Sequence, residues 1–193
     1  DITADNNVVV DAQSDEQIAN YAGNASVTGT GAAVGLSVSV NQIDGATNAS
    51  IEGSGTQVNA AGKGEDAELN NTVDDDKILK DFVDSSTFDS QGSLGDKRTG
   101  KTYSGVAVSA SSTHSIKSFL INAGVAAQGA AVNGTVNVNQ TDGSTTAAIK
   151  DAAINQNGFA GDVNVIAHDY SNSAGIVGSA GVAGEGAGIG LGA

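Results

Sequence analysis

The chain of 193 residues contains no cysteine, proline, methionine or tryptophan, and only 4% of it is aromatic. The absence of cysteine excludes a disulfide framework and thiol chemistry, so backbone hydrogen bonds and packing must hold the fold. The shortage of aromatic rings removes side chains that normally supply much of a globular core's buried area. Basic residues are scarce as well: 8 Lys and Arg stand against 22 Asp and Glu, for a formal net charge of −14. Such a surface lacks the cations that neutralise phosphates, which excludes nucleic acid as a partner and argues against electrostatic docking on anionic membranes. Its simpler meaning is the solubility of a long exposed surface. No apolar run is long enough to span a bilayer and no secretory leader is visible, so direct membrane insertion is not expected. The first residue is Asp, and the closing GEGAGIGLGA stops within a repeat; both features read as a piece of something larger.

What remains is small and β-branched. Hydrophobic residues make up 39% of the chain, mostly Ala, Val and Ile, beside 27 Gly. These suit a narrow core between closely spaced strands. They are also arranged in copies, the mark of stacked architectures. GAAVGLSVSVNQIDGATNASI at 31–51 returns as GAAVNGTVNVNQTDGSTTAAI at 129–149. Aligned without gaps at an offset of 98, Val8–Glu52 and Val106–Lys150 share 21 of 45 residues, among them Val27/Val125, Asp44/Asp142 and Ile51/Ile149. A partial third copy starts at Val163, where AGVAGEGAGI (180–189) matches AGVAAQGAAV (123–132) at an offset of 57.

The two offsets differ by 41, so the first copy must carry about that many extra residues. The segment 63–103 is the insertion: it holds 6 of the 8 basic residues, 10 of the 22 acidic ones and two of the four Phe. The chain therefore divides into a first repeat (1–62), an acidic insertion (63–103), a second repeat (104–162) and a truncated third (163–193). Within the insertion, DDDKILKDFVDSS places Ile78, Leu79, Phe82 and Val83 on one stripe and predicts a short helix. Asp74, Asp75 and Asp76 suit the start of that helix, where the dipole favours negative charge. The same run offers oxygen ligands to Ca²⁺, but without the spacing of a calcium loop. The solvated helix start is the preferred assignment, and no metal or cofactor is expected.

Inside each copy, Val34, Leu36, Val38 and Val40 alternate with Gly35, Ser37 and Ser39, a period that places one face inside and one outside. Val132, Gly134, Val136 and Val138 repeat it. Asp44-Gly45 and Asp142-Gly143 read as turns, of a kind also found in tight hairpins. Asn41/Asn139 and Asn24/Asn122 recur in step, either as hydrogen-bonded ladders or in αL turns. Gly31-Ala32-Ala33 and its copy Gly129-Ala130-Ala131 allow sheets to approach closely. The expected fold is all-β, a parallel β-solenoid with one partly helical insertion. A 57-residue unit divides into three coils of ~19 residues, a period found among stacked repeats. About eight coils at ~4.8 Å each then make a rod of ~40 Å.

Copies of the form V-x-V…AG…G-x-A-V/G…V-x-V-N…D-x-x-T-x-A-x-I, separated by acidic insertions, resemble the leukotoxin-like large filamentous adhesins, haemagglutinin-type β-helix exoproteins of Gram-negative bacteria. The resemblance covers about four-fifths of the chain. It implies a right-handed parallel β-helix, secreted or on the cell surface, exported with an outer-membrane partner. It implies a shaft that presents surfaces to a host cell or matrix receptor, and it carries over no catalytic residue. The alternative reading is a filament subunit that stacks end to end on other copies of itself through unpaired strand edges.

Catalytic signatures are missing. His114 and His168 occupy different repeat positions, and neither has a metal-ligand spacing, so both are assigned to solvent-facing loops. No nucleophile elbow, P-loop or dinucleotide fingerprint occurs. Parallel β-helices also host polysaccharide-cleaving enzymes, which need paired carboxylates or a base with a cationic partner. Outside the insertion the only cations are Lys117 and Lys150. The chain is therefore read as no enzyme. N-x-S/T triplets at Asn24, Asn48, Asn70, Asn133 and Asn139 are what a chain rich in Asn, Ser and Thr contains by coincidence. Loops on a rigid scaffold carry recognition, which makes the insertion the expected contact surface.

Overall fold

The computed structural model describes residues 1–74 and 98–193. It is all-β among the described residues: β1 (Ile2–Ala4), β2 (Val8–Ala60), β3 (Ala67–Val73), β4 (Arg98–Tyr103), β5 (Val106–Ile154), β6 (Val163–Glu185) and β7 (Gly188–Gly192). One sheet runs in the order β1-β2-β5-β6 with β7 also on β5, and β3 and β4 form a separate antiparallel pair.

The sheet is laid down by the repeat. β1 pairs with β2 in parallel, Ile2 beside Val58, an offset of 56. β7 pairs with β5 in parallel, Val132 beside Ile189, an offset of 57. Asn41 Nδ2 donates to Asn139 Oδ1 at 2.8 Å, an offset of 98, and Ser112 Oγ donates to Asp169 Oδ2 at 2.7 Å, an offset of 57. A constant difference between partners marks parallel neighbours in matched register, as a constant sum would mark antiparallel ones. Each copy thus lies on the next copy, and the hydrogen-bonded neighbour is a full repeat away. Coils of ~19 residues, and the count of eight drawn from them, are replaced by long passes of one repeat each.

Contacts across the interior obey the other rule. Asn20 Nδ2 reaches Ser39 Oγ (2.7 Å) and Asn41 Oδ1 (2.8 Å), and Asn137 Nδ2 reaches Ser118 Oγ (2.6 Å). The residue numbers in these pairs sum to nearly the same value within a copy. Each pass therefore doubles back, so that its outgoing and returning halves face each other. Gly31, Gly129 and Gly186 mark the reversals and form one column at offsets of 98 and 57. Their φ angles are +96°, +120° and +141°. A Cβ on Gly129 would overlap the Gly31 carbonyl oxygen, and one on Gly186 would overlap that of Gly129. Only glycine fits a column with both demands.

Asp44-Gly45 and Asp142-Gly143 are not turns. They lie within β2 and β5, and neither glycine has a positive φ. Gly45 faces Glu16, whose Oε1 would lie 2.8 Å from an added Cβ; Gly143 faces His114, whose Nε2 would lie 2.9 Å away. Glycine is there for space, opposite the two largest inward side chains of that level. Asn41 and Asn139 form a ladder instead of occupying αL turns.

The chain forms two compact units. In the first (1–16, 45–114 and 143–171), Val8, Val10, Ala12, Val106, Val108 and Ala110 pack against Ala49, Ile51, Val58, Ala60, Ile149 and Ile154 as an apolar core. Burying a Val or Ile side chain contributes about 1.5–3 kcal/mol, so this cluster is the main hydrophobic anchor of the unit. The second unit (17–44, 115–142 and 172–193) has a small alanine cluster of Ala33, Ala126 and Ala131, and its interior combines the buried Ile43, Ile116 and Leu120 with many Asn, Ser and Thr.

The segment 63–103 departs after Lys63, whose N–H still bonds to Asp5 O at 3.1 Å. Its described flanks are strands, with Ala67 opposite Tyr103 and Val73 opposite Arg98. The helix expected over 74–86 lies outside the described residues, except for Asp74.

Candidate interaction surfaces

Two surfaces stand out, one in each unit. In the first unit the β3–β4 ribbon lies on β5, where residues 106–114 are buried on both faces of the strand. Asn71 Nδ2 donates to Tyr103 Oη (3.0 Å) and Ser109 Oγ (3.2 Å). Arg98 is the main fastener. Its Nη1 donates to Ser111 Oγ at 2.6 Å, Nη2 to Asp15 Oδ1 at 2.7 Å and to Ser14 O at 3.1 Å, and Nε to both Asp15 oxygens. The guanidinium's planar fork suits this bidentate grip. The root of the insertion is thus part of the packed body.

A polar cluster occupies the same unit. His114 is 2% exposed and lies within a strand, not in a solvent-facing loop, and His168 is a half-buried strand residue of β6. The sequence assigned both to loops because it did not reveal that His114 stacks inward on Glu16, while His168 stacks at an offset of 57 on Ser111, on the face that the ribbon covers. Glu16 sits one pass before His114 in the same column, with its Oε2 3.2 Å from His114 Nδ1; Asp169 Oδ2 is 3.8 Å from Nε2. Ser112 and Thr145 turn their hydroxyls to Asp169. A hydrolytic triad needs its nucleophile hydrogen-bonded to the imidazole. Here the serine bonds to the carboxylate instead, and no hydrogen bond reaches either imidazole nitrogen. No group of three or more metal-ligating side chains forms among the described residues.

In the second unit the alternation resolves in an unexpected sense. Gly35, Ser39 and Asn41 face inward, while Val34, Leu36, Val38 and Val40 are 61–68% exposed. Val132, Val136 and Val138 of the next pass continue the outward columns, followed by Ile189 and Leu191 of the third. Leu36 lies against Gly134, and Leu191 pairs with Gly134 from the other side, so a notch separates two ridges. The opposite outward face carries fewer such residues: Tyr21, Val27, Ile121, Val125, Ile176 and Val182.

The remaining residues singled out in the sequence are scattered. Lys150 Nζ lies 3.4 Å from Glu52 Oε1 in an exposed ladder pair. Asn24, Asn48 and Asn70 are exposed, whereas Asn133 is buried and Asn139 half-buried. Asp75 and Asp76 lie outside the described residues. No helix among those described is long and apolar enough to cross a membrane. Comparison with models of known protein families, with curated proteins and with solved structures gives no match.

Proposed function

We propose that this chain is a shaft segment of a secreted or cell-surface filamentous adhesin, wound as a right-handed parallel β-helix. It spaces and presents surfaces for attachment to a host cell or matrix receptor. The observation that carries this reading is the register: each pass lies on its copy at a fixed offset, so the stack extends by repetition of the sequence. The chain acts by geometry and surface, with no catalytic step, cofactor or metal. An outer-membrane partner exports it.

A series of variants with additional tandem copies of residues 106–162 tests the spacing role by small-angle scattering. Each added copy should lengthen the particle by ~4.8 Å, the distance between neighbouring strands. A dimension along the stacking axis that stays constant as copies are added would sink the shaft reading. Binding of the chain to immobilised matrix glycoproteins and to cultured cells then tests presentation, and loss of that binding on removal of 63–103 would place it on the insertion.

The second reading, end-to-end assembly into an extracellular filament, rests on one observation. Among the described residues, the outer edge of β2 is covered by β1 at Val58–Ala60 alone. Long filaments in electron micrographs of the purified chain would favour it.

A further inference from the structure

We infer that the outward apolar face of the second unit is a homodimer interface, closed by the same face of a second copy of this chain. The face consists of Val34, Leu36, Val38 and Val40 with their column mates Val132, Val136, Val138, Ile189 and Leu191, all 38–68% exposed. At those exposures it presents on the order of 500 Å² of apolar area, more than a monomer ordinarily leaves in one patch. Two such faces remove about 1,000 Å² of apolar surface together, which reaches the threshold of a specific interface before its polar rim is counted.

The distribution of charge identifies the occupant as a second copy. The second unit contains only Asp44, Asp142, Glu185 and Lys117 as ionisable acids and bases, a net of −2, although the whole chain carries −14. The strongly acidic remainder repels other copies, and this unit does not. Asp44 and Asp142 follow the last outward valines, Val40 and Val138, at one end of the face. A two-fold axis through its middle sets these carboxylates against the uncharged end that holds Ala32 and Val34, so like charges do not meet. Flat columns at strand spacing pack face to face at about 10 Å, as in β-sandwiches. This lateral contact leaves the strand edges free and is separate from end-to-end growth.

Sedimentation velocity over micromolar concentrations, with the 193-residue chain, tests the inference. The wild-type chain should sediment with twice the monomer mass. Val38→Glu combined with Val136→Glu should weaken association by on the order of a hundredfold or more, because each charge meets its copy across the axis. Val38→Thr with Val136→Thr keeps the β-branched shape, removes apolar area and should give an intermediate loss. Far-UV circular dichroism should be unchanged in both, since these positions face outward. A wild-type chain that remains monomeric overturns the inference. Association that the Glu pair leaves intact also overturns it, and assigns self-contact to strand edges.

Discussion

Replacing Arg98 with alanine isolates what fastens the insertion to the stack. The guanidinium is 2% exposed and Asp15 is 28% exposed. Its removal leaves the fully buried Ser111 hydroxyl without its 2.6 Å donor, a loss of about 1–3 kcal/mol for an unsatisfied buried group. Breaking a buried ion pair from one side costs about 3–5 kcal/mol. Water reaches Asp15 from its exposed edge and recovers part of that cost, so the expected loss is about 3 kcal/mol in total. It should appear first as local opening. Amides of 107–115, covered by the ribbon, should exchange on the order of a hundredfold faster, while those of the apolar cluster around Ile51 and Val58 lag behind. Hydrogen exchange read by mass spectrometry, together with urea unfolding, measures both. Arg98→Lys should rescue less than half of the loss, because an ammonium cannot grip Asp15 and Ser111 in one plane. Unchanged protection over 107–115 in Arg98→Ala, with less than about 0.5 kcal/mol lost globally, would show that the ribbon is held by something other than this side chain.

Two further outcomes test the columns. Gly129→Ala forces a Cβ onto the Gly31 carbonyl at φ +120° and should cost about 2–4 kcal/mol in chemical unfolding, against less than ~0.5 for Ala130→Ser beside it. Gly143→Ala should cost about 1–3 kcal/mol by overpacking His114, whose Nε2 would sit 2.9 Å from the new Cβ. In a double-mutant cycle with His114→Ser the two changes should couple favourably by ~1 kcal/mol or more, whereas strict additivity would mean that the two positions do not face each other.

The period was legible because each residue of a parallel stack lies beside the same position of its copy. Val34, Val132 and Ile189 must match in size, Asn41 must find Asn139, and Gly31 tolerates only Gly129 above it. The insertion showed itself as an interruption of that rhythm. Its root did not, because a lone Arg98 in a charged, Gly-rich stretch gives no sign that it reaches Asp15, 83 positions away. The Asp-Gly pairs misled for a related reason. A turn and a strand glycine opposite a bulky side chain look alike locally, and only the partner across the interior distinguishes them. His114 could have been found by extending the columns: it shares a position with Glu16, and an acid stacked on a histidine within an otherwise small-residue pattern is a sign of an inward pair.

By itself, then, the sequence determined the all-β composition, the 57-residue rhythm, the matched columns and the place where the rhythm is broken, because in-register stacking writes its rule directly into residue identity. The tertiary structure alone decided the rest. It set the neighbour at a whole repeat in place of a 19-residue coil, and it turned the chain back at a glycine column. In the second unit it also faced serine and asparagine inward while leaving valine outside. Alternation states only that two faces differ; which of them is buried depends on the half-pass that folds over it, a contact between residues that are distant and unlike in sequence.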